Sequence, residues 1–406
     1  MKLTLSLLAL LSFSAVAADV PHLDLELTSA EYRDVLAHNT NKEADHPAVA
    51  QALRHGERLA KWLAFENARR TPSTALRLTS SGTRTGIPID KPSIYSEKTI
   101  QTTNETLAKE LPAEMLAVLN GAAFPSQVPG ADDADFVKMA RRVDRNYQSA
   151  ARFKTLLPYR SSYIRNKAKD VRSYHFFVTN GWTAARFADF ATLPDAEKTV
   201  IRGHLAGMCQ NNGASAASCA ARVARAEAAG NLATEFATLS AHSASVWRAF
   251  FDIPGYAVRR DVDHSNPKVM AVTFNTPSIP KFIPYLQDNI EDEFRFGDWG
   301  IKMTFGSYPN GALLKFETGV VPHVNGLGGN EIVMDSNQPI EEYESQWTIR
   351  HEYGHVIGLP DCYHEFFDSE LGAFVNYQLD VTDLMCSRAG NMNERIYKEL
   401  VRAYRK

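Results

Sequence analysis

The sequence predicts an α+β fold, in which a mostly helical N-terminal region precedes a region of mixed helices and strands. Between residues 18 and 250, apolar side chains recur at helical spacing. After Ile253-Pro254-Gly255 the pattern changes to short β-type runs separated by Gly, Pro and Asn. We therefore expect a boundary near residue 250 and two regions, 18–250 and 251–406. The chain of 406 residues is long enough for each region to have its own core.

The helical pattern of the N-terminal region is interrupted once. The helical segments are 29–36, 47–69, 134–156, 195–209 and an alanine-rich pair between 215 and 250. Residues 71–104 are rich in Ser, Thr, Pro and Gly, so we expect a loop or an extended passage there.

The C-terminal region predicts a mixed sheet followed by a helix. The candidate strands are 269–274, 301–305, 312–316 and 331–334. A helix is expected where Ile283, Leu286, Ile290 and Phe294 recur at helical spacing. The last strand leads into a second helix, which contains residues 351–356.

The first residues resemble a signal peptide. Lys2 precedes an apolar run over 3–16, and Ala15-Val16-Ala17 fits a small-residue cleavage site. The run is short for a transmembrane helix, and no other segment is long and apolar enough to cross a bilayer. We expect residues 1–17 to be removed and the protein to be secreted or periplasmic, without stable membrane insertion.

The charge of the whole chain is nearly balanced. There are 44 Lys and Arg residues against 47 Asp and Glu, which argues against nucleic acid or another polyanion as a partner. One segment, 138–172, has 11 basic residues and only two acidic ones, Asp144 and Asp170. This segment forms either a patch for an anionic surface or ordinary solvated helix faces.

Four cysteines in an exported chain predict two disulfides. Four cysteines allow three connectivities, and sequence alone does not choose among them. Cys209 and Cys219 bracket a polar loop, so we expect them to pair with each other, and Cys362 with Cys386.

The motif HEYGHVIGLPD at 351–361 has the spacing of a metal site. On a helix, His351 and His355 project from one face and can share one cation. Glu352 lies ~100° round the helix, outside direct ligation but within reach of a water activated by the metal. Gly358 can end the helix and Pro360 prevents its continuation, so Asp361 can return as third ligand.

Two histidines, one aspartate and an open position are typical of catalytic Zn²⁺. Other third ligands remain possible. His364 follows closely and imidazole binds zinc well, and a thermolysin-like arrangement would take a carboxylate from a later helix, for which Glu394 or Asp380 are candidates.

These residues resemble the metzincin zinc peptidases, whose signature is HExxHxxGxx followed by a ligand. GLPD with an aspartate ligand is similar to the snapalysin type of secreted bacterial neutral proteases, and the resemblance covers about the last 150 residues. It implies a metzincin-like domain with a mixed sheet, an active-site helix and a Met-turn. Asp383-Leu384-Met385-Cys386 matches that turn, which implies that Met385 lies beneath the metal and that a Cys362–Cys386 bridge ties the ligand loop to it.

The resemblance also implies an edge strand over 312–316, which binds an extended peptide beside a loop at 326–329; an ordinary hairpin is the alternative for this segment. No tyrosine follows Met385 by two residues, as it does in astacin-like relatives. A donor such as Tyr363 or His364 would therefore help the metal to stabilise the transition state.

We expect a zinc endopeptidase that acts on protein or peptide substrates, with Glu352 as general base and one Zn²⁺ held by His351, His355 and Asp361. The alternatives are a zinc hydrolase of cell-wall amides and a non-catalytic, zinc-containing protein that binds a surface. Residues 18–250 are either an accessory domain or a removable pro-region. Substrate preference and oligomeric state stay open at this stage.

Overall fold

The fold is that of a computed structural model, which describes residues 46–79, 91–387 and 390–405, together with Leu25, Leu27, Thr28, Ala30, Glu31 and Ile89. The signal peptide predicted at 1–17 lies outside the described residues, as does most of the helix predicted at 29–36. The described chain mixes helices with small sheets, so the α+β class is confirmed. Within these residues, no helix has the length and apolar character needed to cross a membrane.

Nine α-helices precede residue 250 in the described part of the chain. They are α1 (Pro47–Asn67), α2 (Glu97–Glu110), α3 (Ala113–Leu119), α4 (Asp133–Leu156), α5 (Arg160–Asn166), α6 (Arg172–Thr179), α7 (Asp195–Gln210), α8 (Ala216–Ala228) and α9 (Leu232–Arg248). Short 3-10 segments cover Pro72–Thr74, Leu157–Tyr159, Lys167–Lys169, Ala184–Thr192 and Gly255–Ala257. Helices α1, α4, α7, α8 and α9 confirm the predictions for those segments.

The loop predicted over 71–104 is wrong at its C-terminal end. A short strand, β1 (Ser93–Tyr95), precedes α2, which begins at Glu97. The helix begins there because Ser96 is an N-cap: its hydroxyl accepts a hydrogen bond from the Thr99 backbone N–H at 3.1 Å. The Thr99 hydroxyl accepts from the Ser96 N–H at 3.0 Å, which completes a reciprocal cap.

The C-terminal region contains the strands β2 (Asp263–Asn266), β3 (Val269–Asn275), β4 (Arg295–Phe296), β5 (Trp299–Gly306), β6 (Leu313–Glu317), β7 (His323–Val324), β8 (Glu331–Asp335), β9 (Tyr363–Asp368) and β10 (Ala373–Gln378). Its helices are α10 (Phe282–Glu293), α11 (Tyr343–Val356) and α12 (Glu394–Tyr404). The predicted strands and helices of this region are confirmed, with ends that differ by a few residues.

The C-terminal region has two small sheets that adjoin each other. The first has the order β2-β3-β5-β4 and the second β6-β8-β7, with parallel pairing of β3 with β5 and of β6 with β8. A bridge between Phe274 and Ala312 joins the two sheets. The strand predicted over 312–316 is β6, which lies at one edge of the order β6-β8-β7 as expected, apart from the bridge at Ala312. The short strand β7 forms the other edge.

The third sheet joins the two regions. β1 pairs with β10, and β10 pairs with β9, all antiparallel. Beneath this sheet, Phe367 and Phe374 pack in one core with apolar residues of α1 and α4. Buried polar contacts add to the junction, since the Tyr147 hydroxyl donates to Asp335 Oδ2 at 2.6 Å. The boundary expected near residue 250 falls between α9 and β2, but residues from both sides form a common core.

Both expected disulfides are present. Cys209 pairs with Cys219 between α7 and α8, and Cys362 pairs with Cys386, with Cα–Cα distances of 5.6 Å and 4.3 Å. The second disulfide lies beside the histidine motif.

Candidate metal centre

Helix α11 holds both histidines of the motif. Most of its side chains are buried, as expected for a helix covered on several sides. Because His351 and His355 are one turn apart, their rings lie together, with centroids 4.8 Å apart and planes nearly perpendicular. The neighbouring Arg350 anchors the helix: its buried guanidinium donates to Glu293 Oε2 of α10 at 2.6 Å.

Gly358 turns the chain back toward the histidines. Its φ is +85°, a left-handed conformation that glycine adopts without steric cost. The Gly358 N–H donates to the carbonyl of His355 at 3.0 Å and closes the helix. The chain then reverses, so that Asp361 Oδ1 lies 3.1 Å from Nε2 of His351 and 3.1 Å from Nε2 of His355. The predicted turn and the predicted grouping of these three residues are both found.

The outer nitrogen of each imidazole faces a carbonyl. Nδ1 of His351 lies 2.9 Å from the oxygen of Leu384, and Nδ1 of His355 lies 2.8 Å from the oxygen of Leu359. A carbonyl only accepts, so Nδ1 carries the hydrogen in these contacts. Each Nε2 is then directed at Asp361, the orientation that metal-binding histidines have when a backbone acceptor fixes their tautomer.

Neighbouring charges shift the pKa values of His355 and Asp361. Burial alone would lower the pKa of His355, but the Asp361 carboxylate outweighs it and raises this pKa to about 9. Burial alone would raise the pKa of Asp361, but the two imidazoles hold it far below its usual range. The carboxylate is therefore ionised. A cation at this position would replace the extra proton of His355 as the counter-charge of Asp361.

Glu352 faces a cavity beside these residues. The cavity has a volume of about 340 Å³, and His355 and Asp361 also line it. The Glu352 side chain is buried, and it makes no hydrogen bond to another residue of the described segments. Its carboxylate is thus available to a molecule in the cavity. The loop at 326–329 borders the same space as predicted, since Gly326 and Leu327 line it. The Gly328 N–H donates to the carbonyl of His355 at 2.9 Å.

Met385 packs against α11 at Gly354, on the turn of the helix that contains both histidines. It is fully buried, and its sulfur would lie 2.3 Å from a Cβ built on Gly354. Only glycine permits this approach of the turn to the helix. The Met385 carbonyl accepts from the Cys362 N–H at 3.0 Å, and the Cys362–Cys386 bridge joins the same two segments.

Asp383 fixes the turn that contains Met385. It is fully buried, and its carboxylate pairs with Arg395 Nη2 at 2.6 Å and accepts from the Met385 N–H at 2.9 Å. Asp383, Cys362 and Cys386 also lie close enough together to hold an ion. Because the two sulfurs are bonded to each other, this group lacks the thiolates that such a site would need.

The other candidates for third ligand lie elsewhere. His364 is buried and directed away from the histidine pair: its Nε2 donates to the Asn166 carbonyl at 2.9 Å, and its Nδ1 is 4.0 Å from Asp170. Asp380 accepts from the Thr382 hydroxyl at 2.7 Å, and Glu394 pairs with an exposed lysine. Asp361 is the carboxylate that the structure groups with both histidines.

Residues of the N-terminal region also line the cavity, which the sequence did not predict. Arg152 of α4 and Tyr163 of α5 lie in its wall. Both belong to the basic segment 138–172, in which Arg152, Lys167 and Arg172 are paired with carboxylates. A count of charges along the chain could not distinguish these paired residues from a solvated surface.

Comparisons of the chain with protein-family models, with curated proteins and with solved structures found no match. The function is therefore inferred from the chemistry of the residues themselves.

Proposed function

We propose that this protein is an exported zinc endopeptidase with one catalytic Zn²⁺ held by His351, His355 and Asp361. The observation that carries the proposal is the convergence of both Nε2 atoms on Asp361 Oδ1, each at 3.1 Å. The donor set fits zinc, since two imidazoles and one carboxylate that leave a position open are typical of its hydrolytic sites. When bound, zinc supplies a Lewis acid that acidifies water and polarises a carbonyl.

Glu352 is the general base and acid of the proposed reaction. Its buried carboxylate lines the cavity with two of the proposed ligands and has no competing hydrogen bond within the described chain. Oε1 or Oε2 takes a proton from the attacking water. The same carboxyl group then gives that proton to the nitrogen of the leaving amine, so no covalent intermediate with the protein is needed.

Tyr363 is the residue of β9 best suited to help stabilise charge on the substrate. Its side chain lines the cavity, and its ring lies parallel to that of His351 at 6.4 Å. His364, the other donor considered from the sequence, has its Nε2 engaged by Asn166. A neutral phenol can donate a hydrogen bond to a developing oxyanion.

The metzincin type is part of the proposal and rests on two features. The first is the motif itself, with its glycine turn and aspartate, which is similar to that of snapalysin-like proteases. The second is the close packing of Met385 on Gly354 beneath the histidine pair. Export is supported by the signal-like N-terminus and by two disulfides, which persist in oxidising compartments.

A catalytic role fits better than a purely structural zinc because a cavity adjoins the ligands. Structural zinc sites are closed by four protein ligands, whereas the described residues bring three together here. Hydrolysis of peptide bonds and of cell-wall amides needs the same chemistry. Assays with each substrate therefore distinguish the two functions.

The test is casein cleavage by metal-quantified wild type, Glu352→Gln and Glu370→Gln, with and without a chelator. Glu370→Gln is the control, since Glu370 is an exposed residue of the β9–β10 turn. We expect one zinc per chain in all three proteins, and a loss of ~100-fold or more in the rate for Glu352→Gln alone. Full activity of zinc-loaded Glu352→Gln would refute the proposal. Cleavage of peptidoglycan but not of casein would identify cell-wall amides, instead of proteins, as the substrate.

A further inference from the structure

Residues of both regions of the chain line the proposed catalytic cavity. Glu352 and Asp361 are among those of the C-terminal region. Arg152, Leu156 and Tyr163 come from the N-terminal region. A second cavity, of about 490 Å³, is also lined by both Asp361 and Tyr163. Tyr163 therefore stands where the two cavities meet.

Helix α5 is firmly fixed to the strand that follows Asp361. The Asn166 carbonyl accepts from His364 at 2.9 Å, and the Asn166 side chain donates to the Glu365 carbonyl at 3.3 Å. Tyr163 precedes Asn166 by three residues and so lies on the same face of the helix. Its ring packs edge-on against Phe374 of β10, with centroids 5.4 Å apart. These contacts hold the phenol at the cavity instead of leaving it free in solvent.

The guanidinium of Arg152, a charged donor among these lining residues, is already engaged. Both Nε and Nη2 of Arg152 bond to Glu365 Oε1, at 2.8 Å and 2.7 Å. By contrast, the hydroxyl of Tyr163 has no hydrogen-bond partner in the segments that the structure describes. Because Tyr163 lines both cavities, its hydroxyl is a donor available to a molecule bound there.

We propose that Tyr163 is a catalytic residue, whose hydroxyl donates a hydrogen bond to the carbonyl oxygen of the scissile amide as negative charge develops there. The proposal rests on the proposed peptidase function. Tyr363 would approach the same oxygen from β9, so the oxyanion would be held by one phenol from each region. The hydroxyl keeps its hydrogen, and the only proton that moves is the one carried by Glu352.

A catalytic Tyr163 would decide whether residues 18–250 are a removable pro-region or a permanent part of the enzyme. A removable pro-region leaves an active enzyme behind when it is released. If Tyr163 serves the reaction, the N-terminal region is instead a permanent part of the enzyme, and its loss abolishes catalysis. The sharing of a sheet by β1 and β10 is consistent with this.

The experiment compares wild type, Tyr163→Phe and Tyr159→Phe. Tyr159 is a matched control, because it lies just before α5 and its side chain is 63% exposed. For each zinc-loaded protein we would measure kcat and KM on a cleaved peptide. We would also measure Kd for a phosphinic peptide, whose anionic phosphinate oxygen imitates the developing oxyanion. Melting temperature and zinc content check that the fold and the metal site are intact.

We expect Tyr163→Phe to lower kcat and weaken phosphinic-peptide binding by ~100-fold, with KM little changed, as for loss of one oxyanion donor. Tyr159→Phe should match wild type. The proposal is overturned if Tyr163→Phe keeps wild-type kcat and phosphinic-peptide affinity, or if kcat and KM change only together with a fall in melting temperature. Wild type that neither cleaves peptides nor binds the phosphinic peptide would instead refute the peptidase function on which the proposal rests.

Discussion

Oδ1 of Asp361 lies 3.1 Å from Nε2 of His351, although the two residues are ten positions apart and a helix ends between them. A continuous helix would separate them by ~15 Å along its axis. The contact depends on the reversal of the chain at Gly358. The site is therefore held together by backbone conformation as much as by its side chains.

Asp361→Ala should lower zinc affinity by more than ~100-fold, because even residues that only orient a ligand contribute ~10- to 100-fold. Competition with a zinc-binding dye measures the affinity. Asp380→Ala is the control and should bind as wild type does, since Asp380 bonds to Thr382 instead. Loss of zinc on His364→Ala with retention on Asp361→Ala would contradict the assignment.

The Cys362–Cys386 disulfide should affect both stability and metal binding. Replacement of both cysteines by alanine removes a cross-link between residues 24 positions apart, which should cost about 3 kcal/mol of unfolding free energy. It should also weaken zinc binding, because the bridge ties the segment after Asp361 to the turn beneath the histidines. Urea unfolding and the dye assay give the two values.

The Cys209–Cys219 pair provides the control for that prediction. Its double alanine variant should lose a similar, slightly smaller amount of stability, since the cross-link spans 10 positions instead of 24 and the cost grows only with the logarithm of loop length. Its zinc affinity should remain that of wild type. Equal loss of zinc affinity in both variants would show that the effect comes from general destabilisation.

Gly358→Ala should destabilise the protein and impair its activity. A φ of +85° costs a residue with a Cβ about 1–2 kcal/mol, and the new Cβ would lie 2.8 Å from the carbonyl oxygen of Ala257. Gly372→Ala is the matched control, because its φ is +60° and its Cβ would meet nothing within 4 Å. Thermal melts and zinc content should therefore show a larger effect at Gly358, and equal effects would argue against a special role for this turn.

Stability should fall as the pH rises toward 8. Burial is the main reason that the pKa of Asp144 is raised to about 8 and those of Asp335 and Glu342 to about 7. The folded state therefore binds these protons more tightly than the unfolded chain, whose carboxyl pKa values are ~4. Their contribution to stability is complete below ~pH 4 and is lost as the pH passes through 7 to 8.

Melting curves between about pH 6 and pH 9 would reveal this loss. In Asp144→Asn the fall in melting temperature should be smaller, because one of the groups that must ionise is gone. Asp195→Asn is the control, since that side chain is 99% exposed. An identical pH profile for Asp144→Asn and wild type would refute the prediction.

Local patterns predicted the longer periodic elements correctly and missed most of the short ones. Helix α4 and strand β3 have strong apolar periodicity, and both were found within one residue of their predicted ends. The helix α2 was missed because Ser and Thr, which suggest a loop, serve there as caps. The strand β6 was correctly predicted at an edge, but the bridge that joins its start to β3 was not predicted, because β3 lies far away in sequence.

The sequence by itself determined the proposed histidine pair and favoured Asp361 as third ligand. His351, His355, Gly358 and Asp361 are close in sequence, so a helix with a left-handed end accounts for their grouping. Only the structure directs His364, the alternative ligand, to Asn166. Tertiary structure decided what surrounds the proposed ligands. Tyr163 and Arg152 reach the cavity because α4 and α5 pack on β9, about 200 residues away in sequence. Contacts over such separations depend on the packing of whole elements, which no local pattern records.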